Sequence, residues 1–583
     1  MAGKTDPYFT NKEIAGILFE MAALWEMQGV NFKPRAYEKA ALQIESLNES
    51  VKDIYDQEGL KGLTQIPSIG ESIAKHIEEL IKTGHFHEYE AQKKRVPVNL
   101  TELLSVEGVG PHTIRDLWRR LHIKNLADLE KACIDGKISK LPHFGRKSEE
   151  KILKGIEFLK RSKGRQILGD VLPEIRKIET LIRSLPGVEE AVVAGSVRRM
   201  KETIGDIDIV VVSSSPEKIM DRFVDLPMVE HVYGKGPTKT NVRLKNGVDA
   251  DLRVVPKRSF GAALLYFTGS KEHNIALREM AVQKGWKLNE YGLFRGKKVI
   301  AGCTEEDIYD ALGLSLIPPE LRENSGEFVI FGKGVHLPEL VNYGDLKGDL
   351  QTQTNWTDGE DTIEDMAGAA MALGLEYIAI TDHTKSLAMT SGCDEKKLAC
   401  QMKEIDEINA KLKKKHTGFR ILKGAEVNIL RDGALDISDD CLAKLDVVGA
   451  AVHSHFELSR EAQTERVIRA IQNPNVDILF HPTGRILNKR DAISLDMDKI
   501  MKVAKKTGTI LEIDSIPDRL DLKDEYIRKC SGMGVKMCID SDAHSRNQFA
   551  FLEFGIAQAR RGWAERTDIV NTLPLQQFLR TLK

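Results

Sequence analysis

The stretch Gly195-Ser196-Val197-Arg198-Arg199, followed by Gly205-Asp206-Ile207-Asp208-Ile209-Val210, decides how the middle of this 583-residue chain is read. Side chains alternate along a strand, so Asp206 and Asp208 share one face while Ile207 and Ile209 enter the core. Two adjacent carboxylates repel unless a cation lies between them, and a divalent metal resolves the repulsion. A lone D-x-D pair is more often an exposed strand face. Here Gly195-Ser196 closes a preceding strand at an anion-binding turn, and Arg198 and Arg199 can neutralise a triphosphate. A later strand adds Asp249, Asp251 and Arg253 on one face, with Ala250, Leu252 and Val254 on the other. The Asn246-Gly247 pair before it predicts a type I′ hairpin. Alternation does not choose between Asp249 and Asp251 as a third carboxylate. The set implies a nucleotidyltransferase palm working with two metals.

Upstream, the first ~165 residues read as helices joined by Gly/Pro turns. Ile66-Pro67-Ser68-Ile69-Gly70 and Val106-Glu107-Gly108-Val109-Gly110 each precede a helix, and Leu141-Pro142-His143-Phe144-Gly145 is a looser copy. Glycine lets the backbone turn tightly and presents N–H groups at the next helix, a phosphate-binding arrangement. The basic run Lys160, Arg161, Lys163, Arg165 could add phosphate contacts, although such runs are usually solvated. Downstream, Pro318-Pro319 and ELRENSGE read as a linker. Strand-like runs (YIAIT, RILKGAEV, VVGAAV, DILF, TILEI, KMCI) then alternate with helical segments, as in a βα barrel. Titratable residues follow these strands: Asp358, His383, Glu426, His453, His455, His481, Asp542 and His544. Strand ends converge at a barrel mouth, so these groups could meet around metals.

Length predicts about four domains. Lys plus Arg is 85 against 87 Asp plus Glu, a net charge of −2, which excludes a globally basic nucleic-acid coat protein but not local basic surfaces. With 42% hydrophobic and 30% charged residues, wholesale disorder is excluded. The 7 cysteines are never spaced C-x-x-C, which fits a reduced compartment. No apolar run suits a leader or membrane span, so a soluble, cytoplasmic chain is expected, with no membrane partner.

The segments GSVRR, GDIDIVV, DLRVVP and GAALLYFTGSKEHNIALREMAVQKGWKLNEYGLF closely resemble the family X DNA polymerases, those like DNA polymerase beta. The glycine turns resemble helix-hairpin-helix motifs, which grip the DNA backbone without reading sequence; Gly70, Gly108 and Gly110 would be the contacts. The resemblance aligns the family's third carboxylate on Asp251. It implies that Asp206, Asp208 and Asp251 bind two Mg²⁺ or Mn²⁺ ions, and that Ser196, Arg199 and Gly205 contact the triphosphate. Tyr266, Phe267, Thr268 and Gly269 resemble the segment against the incoming sugar, where unaided reading would make Tyr266 and Phe267 core aromatics. Asn274 and Arg278 resemble the residues facing the minor groove of the nascent pair. The N-terminus resembles the family's lyase domain, with Lys33 and Lys39 at supporting basic positions. However, His76 stands where that domain has its Schiff-base lysine, and an imidazole cannot form that adduct.

The C-terminal part resembles the polymerase-and-histidinol-phosphatase (PHP) domain, a distorted (βα)₇ barrel that holds up to three Mn²⁺ or Zn²⁺ ions. The resemblance implies Asp358, His383, Glu426, His453, His481, Asp542 and His544 as ligands. It further implies 3′→5′ exonuclease activity, with abasic-site endonuclease or 3′-phosphatase activity as further options. The family's first motif is H-x-H after Gly-Asp-Leu, whereas this chain has Gly348-Asp349-Leu350-Gln351-Thr352-Gln353. A neutral amide is a poor ligand for these metals, so fewer ions and an impaired nuclease are expected.

The expected architecture is therefore a multidomain chain. It comprises an N-terminal helical, lyase-like domain (1–90), a helix-hairpin-helix domain (91–165), an α+β palm (166–258), a thumb (259–317), a linker (318–340) and a PHP barrel (341–583). The expected activity is gap filling in DNA repair, including base excision repair, by a monomer acting on gapped or primed DNA with dNTPs. Two alternatives remain: a nucleotidyltransferase acting on tRNA or a small molecule, and a DNA-end-binding scaffold with relic sites. The former lacks the hairpin repeats and the YFTGS segment; the intact carboxylate set argues against the latter.

Overall fold

A computed structural model describes residues 9, 11–45, 47, 51–106, 108–161, 165–332, 337–387 and 390–583. Glu107 and Lys163, singled out above, lie outside the described residues. The chain divides into two compact units, one of residues 1–164 with 487–491 and one of residues 165–486 with 492–583. No described helix is long and apolar enough to cross a membrane. All seven cysteines are free thiols.

The first unit is helical, and the glycine turns repeat in backbone as well as in sequence. Ser68, Gly108 and His143 are left-handed, with φ of 61°, 81° and 70°. One residue later, the amides of Ile69, Val109 and Phe144 bond back to the carbonyls of Ile66, Val106 and Leu141 at 3.2, 3.1 and 3.1 Å. The looser third copy thus has the same geometry as the other two. Gly70 and Gly110 are the N-caps of helices Glu71–Thr83 and Pro111–Leu121, and neither helix start has a side-chain cap. The leading amides there are left for another acceptor. Ile66, Ile69, Val106 and Val109 are buried and anchor the turns in the helical core.

In the second unit, a five-stranded sheet runs in the order Val188–Val193, Asp206–Ser213, Asp249–Val255, Lys239–Leu244, Val229–Lys235. Its central pair, Asp206–Ser213 and Asp249–Val255, is parallel and sets Asp206 opposite Asp249 and Asp208 opposite Asp251. Ile207, Ile209, Ala250 and Leu252 are buried on the opposite face, as alternation predicts. The Asn246-Gly247 turn is not type I′, because only Gly247 has positive φ, at 80°. Gly247 N bonds to Leu244 O and Leu244 N to Val248 O at 2.9 and 2.8 Å. This is a three-residue loop closed by a left-handed glycine, which joins Lys239–Leu244 to Asp249–Val255 as expected.

Helices Phe260–Thr268 and Lys271–Gln283 follow, then a small antiparallel sheet and helix Glu305–Leu312. The segment read as a linker is not a loose tether. Arg322 and Glu327 are fully buried, and Leu321 and Phe331 join the core beneath these helices. Arg322 donates to Glu305, which also takes a bidentate pair from Arg198 at 2.9 and 2.7 Å. Glu327 accepts from His273 at 2.8 Å. The polar run is a strap whose Glu320, Arg322 and Glu327 are buried and paired, although Asn324 and Ser325 at its turn are exposed.

The C-terminal part has seven parallel strands in sequential order: Gly348–Thr352, Tyr377–Ile380, Arg420–Asn428, Val447–Ala451, Ile478–Leu479, Ile510–Asp514 and Met537–Asp540. The first and last edges meet through a Thr352–Ala543 bridge and a 2.8 Å bond from Gln353 N to Ala543 O, nearly closing a barrel. One end is plugged by Tyr377, Phe480 and Phe578, with Tyr377 and Phe578 stacked at 5.2 Å. The other end is polar.

Candidate functional site

The palm carboxylates converge as the pairing dictates. Asp206 is exposed, and Asp208 and Asp251 are half-buried. Asp208 is pushed up to about 7 by burial, then by the charges of Asp206 and Asp251. Its carboxylate packs so tightly on the turn before helix Gly195–Arg198 that a Cβ on Gly195 would lie 2.5 Å from Oδ2. Asp251 accepts from Asn241 and lies 3.3 Å from Lys239 Nζ, while Asp249 is engaged by Arg243 at 2.7 Å. A small cleft is lined by Asp208, Asp251, Lys239, Arg253 and Phe267, with neither Asp206 nor Asp249 among its walls. Three clustered acids fit divalent metal, since that charge would offset both the burial and the mutual repulsion that raise Asp208.

Ser196 sits half-buried in the first turn of helix Gly195–Arg198, and Gly205 is exposed directly before Asp206. Arg199 is not free: its Nε lies 3.0 Å from Glu323 Oε1, and Nη1 donates to the Thr268 carbonyl. Tyr266 is 40% exposed, so the reading as core aromatics fails there. Phe267 is half-buried, with the Arg253 guanidinium 5.0 Å from its ring centre. Gly269, at φ 48°, ends helix Phe260–Thr268. Asn274 Nδ2 donates to Tyr266 O at 2.7 Å, and Asn274 and Arg278 line a second cleft with Tyr266.

In the first unit, His76 Nδ1 meets Tyr37 Oη at 2.9 Å and Nε2 lies 3.3 Å from Glu88. Burial lowers the His76 pKa. Lys33 is exposed, 3.8 Å from Glu88 and over the Trp25 ring at 4.2 Å; Lys39 is also exposed. In the basic run, Lys160 pairs with Glu130 at 2.5 Å. Arg165 donates to Thr203 Oγ1 at 3.0 Å and to the Thr203 carbonyl, so these two side chains serve the fold.

At the barrel mouth, Glu426 is fully buried among imidazoles: Oε1 lies 2.9 Å from His453 Nε2 and 2.7 Å from His481 Nε2, and Oε2 lies 3.3 Å from His383 Nδ1. Burial opposes its charge, but His383 and His453 outweigh it and hold Glu426 well below the carboxylate range. Among the described residues, two groups could each surround a cation, Asp358–His383–His544 and His383–Glu426–His453, with His383 shared. Asp542 is buried and left-handed (φ 48°), and its Oδ1 lacks a hydrogen-bond partner. Imidazoles, carboxylates and an unpartnered buried oxygen fit a transition-type divalent metal. The two glutamines fit it poorly. Gln353 Nε2 donates to Glu426 Oε2 at 2.8 Å, and both polar side-chain atoms of buried Gln351 lack partners. His455, grouped with these residues in the sequence, instead turns outward, 3.7 Å from Glu457.

The sequence reading missed the residues that orient this set. Asn428 Oδ1 accepts from His453 Nδ1 at 2.8 Å, leaving Nε2 toward Glu426. It lies two residues beyond Glu426 on one strand, so alternation could have found it. Glu512 Oε2 takes the His481 amide at 2.5 Å; burial raises this acid and Asp540, the latter to about 7. They sit inside apolar strand runs, where no sequence signal marks them.

Helix-hairpin-helix turns, a palm with three convergent acids and a metal-fitted barrel define a modular nucleic-acid enzyme class. Residues 9–86 match the helix-hairpin-helix domain family, 100–157 the SAM-like helix-hairpin-helix tandem, 263–323 the DNA polymerase beta thumb and 349–515 the PHP domain. The chain is 35% identical to the DNA polymerase/3′-5′ exonuclease PolX of Bacillus subtilis, covering 98% of this chain and 99% of that protein. DNA polymerase lambda of Arabidopsis thaliana is 26% identical over 54% of this chain and 62% of its own. The chain belongs to the PolX family, family X DNA polymerases carrying a PHP domain.

Proposed function

We propose that this chain is a template-directed DNA polymerase that fills short gaps in DNA repair, joined to a phosphoesterase that degrades DNA 3′→5′. The observation carrying the first part is the parallel pairing that sets Asp208 beside Asp251 with Asp206 on the same face, at a cleft edged by Phe267. The similarity to PolX and polymerase lambda supports it.

Asp206, Asp208 and Asp251 would hold two Mg²⁺ or Mn²⁺ ions, which lower the pKa of a primer 3′-hydroxyl and neutralise the triphosphate. The protein's own share is placement. Ser196 and Gly205 present hydrogen-bonding groups to phosphate, and Arg199 adds a guanidinium once it leaves Glu323. Tyr266 and Phe267 flank the sugar, and Asn274 and Arg278 face the nascent pair. Gly70, Gly108 and Gly110 shape turns whose amides grip the DNA backbone, with Lys33 and Lys39 near a gap's 5′-phosphate. With His76 in place of the lysine, the first domain binds gap ends without efficient lyase chemistry.

In the barrel, Asp358, His383, Glu426, His453, His481, Asp542 and His544 would hold Mn²⁺ or Zn²⁺, which activates water for phosphodiester hydrolysis. Gln351 and Gln353 leave fewer ions than three imidazole-rich positions would hold, and the nuclease is correspondingly weakened. Primer extension on a one-nucleotide gap tests the polymerase reading with wild type, Asp208→Ala, Asp251→Asn and Asp249→Asn. Extension should vanish in the first two variants and persist in the third. Extension that survives Asp208→Ala would overturn the reading, as would a wild type that extends no primer.

A further inference from the structure

The barrel domain reaches the palm loop that carries Arg199. Helix Leu552–Arg561 ends in a guanidinium whose side chain is 2% exposed. Arg561 Nη1 lies 3.1 Å from the Arg199 carbonyl and 3.3 Å from Glu323 Oε1, and Nη2 lies 2.7 Å from Asp524 Oδ2. Glu323 Oε1 is thus shared by three cations: Arg199 at 3.0 Å, Lys201 at 3.5 Å and Arg561 at 3.3 Å. A few residues on, Glu202 is gripped by Arg485 Nη2 at 2.6 Å and Gln558 Nε2 at 2.8 Å, both from the barrel domain.

The contact is built rather than incidental. Palm helix Leu168–Arg183 approaches the barrel so closely that a Cβ on Gly169 would lie 2.2 Å from Pro517 Cβ. Arg176 forks onto Glu553 at 3.1 and 2.8 Å. Burial opposes the Glu323 charge, but Lys201, Arg561 and Arg199 outweigh it and hold this carboxyl low.

One carboxylate facing three guanidinium or ammonium groups can release one of them and remain paired. We propose that Glu323 and Arg561 are positioning residues for nucleotide binding: Glu323 holds Arg199 back, and Arg561 sets how readily Arg199 is released to a triphosphate. This rests on the reading that Arg199 contacts the triphosphate. When Arg199 turns to the nucleotide, Glu323 keeps Lys201 and Arg561, so no buried charge is stranded. A barrel side chain thereby helps set the polymerase's nucleotide affinity.

Full-length variants on one-nucleotide-gapped DNA, with KM for dNTP and kcat measured separately, test this. Glu323→Gln should lower KM roughly 5- to 10-fold, because a larger fraction of Arg199 is free. Arg561→Ala should raise KM by a similar factor, with kcat changing less than about two-fold, and Arg561→Lys should recover part of the loss. Arg199→Ala serves as the reference and should raise KM in every background. If it does not, the role of Arg199 fails and this proposal falls with it. If Arg199→Ala raises KM while Glu323→Gln leaves KM unchanged or raises it, the proposal alone is overturned. Glu323→Gln removes no packed volume, so that arm decides even if Arg561→Ala folds poorly.

Discussion

Gly195→Ala should disable synthesis without replacing a charged group. Gly195 sits at φ 62°, where a side chain costs about 1–2 kcal/mol. The added methyl would lie 2.5 Å from Asp208 Oδ2, against ordinary contact beginning at 3.4 Å, so the carboxylate must retreat by roughly 0.9 Å. Asp208 stands opposite Asp251 across a parallel pair, and the displacement opens that geometry. A misplacement of about 1 Å at reacting groups costs on the order of 10²-fold in rate. Single-turnover extension of a one-nucleotide gap should therefore slow about 10²-fold, while the melting temperature falls only ~2–4 °C. Gapped-DNA affinity and 3′→5′ degradation, read from the same preparation, should hold at wild-type levels. Extension within about three-fold of wild type would refute the idea that the Gly195–Asp208 contact sets the palm's geometry.

Because His383 belongs to both candidate metal groups, His383→Ala should remove most bound Mn²⁺ or Zn²⁺, measured by elemental analysis after desalting, and abolish degradation while synthesis continues. Gln351→His with Gln353→His should raise metal content and speed degradation; unchanged metal content would clear the glutamines of blame. Glu305, held down at about 2 by Arg322 and Arg198 against the opposing effect of burial, supplies stability present above its ordinary pKa and lost as pH falls toward 2. Its shift from 4.5 corresponds to roughly 3 kcal/mol, so Glu305→Gln should flatten the acid limb of the unfolding curve between pH 4.5 and 2.

Local periodicity carried much of this molecule. The alternation in DID and DADLR set the acids on one face and Ile207, Ala250 and Leu252 in the core, because that stretch of each strand is buried on one face only. Val210 and Val212, on the acids' face, are buried as well, which alternation does not show. The βα rhythm after residue 345 gave the barrel for a similar reason, since its strands are buried on both sides. What the sequence hid was pairing at a distance. ELRENSGE looks like a solvated linker because nothing local shows that Glu305 and His273 wait for Arg322 and Glu327. Likewise, Arg199 reads as a free cation until Glu323 is found beside it, and His455 reads as a ligand until its strand end turns outward. The Asn246-Gly247 dipeptide marks a hairpin but leaves its loop length to the flanking pairing.

The buried strap bears on how this gene may be dissected. A fragment ending at Leu316 would leave Glu305 without Arg322 and His273 without Glu327, two charge partners missing from a dry interior. Ending instead just past Phe331 restores those partners yet bares the apolar surface that Leu340 and Trp563 shield in the intact chain. Isolated polymerase fragments from this protein should thus be sticky and short-lived, and their poor behaviour on the bench would say nothing about the chemistry they were cut to reveal.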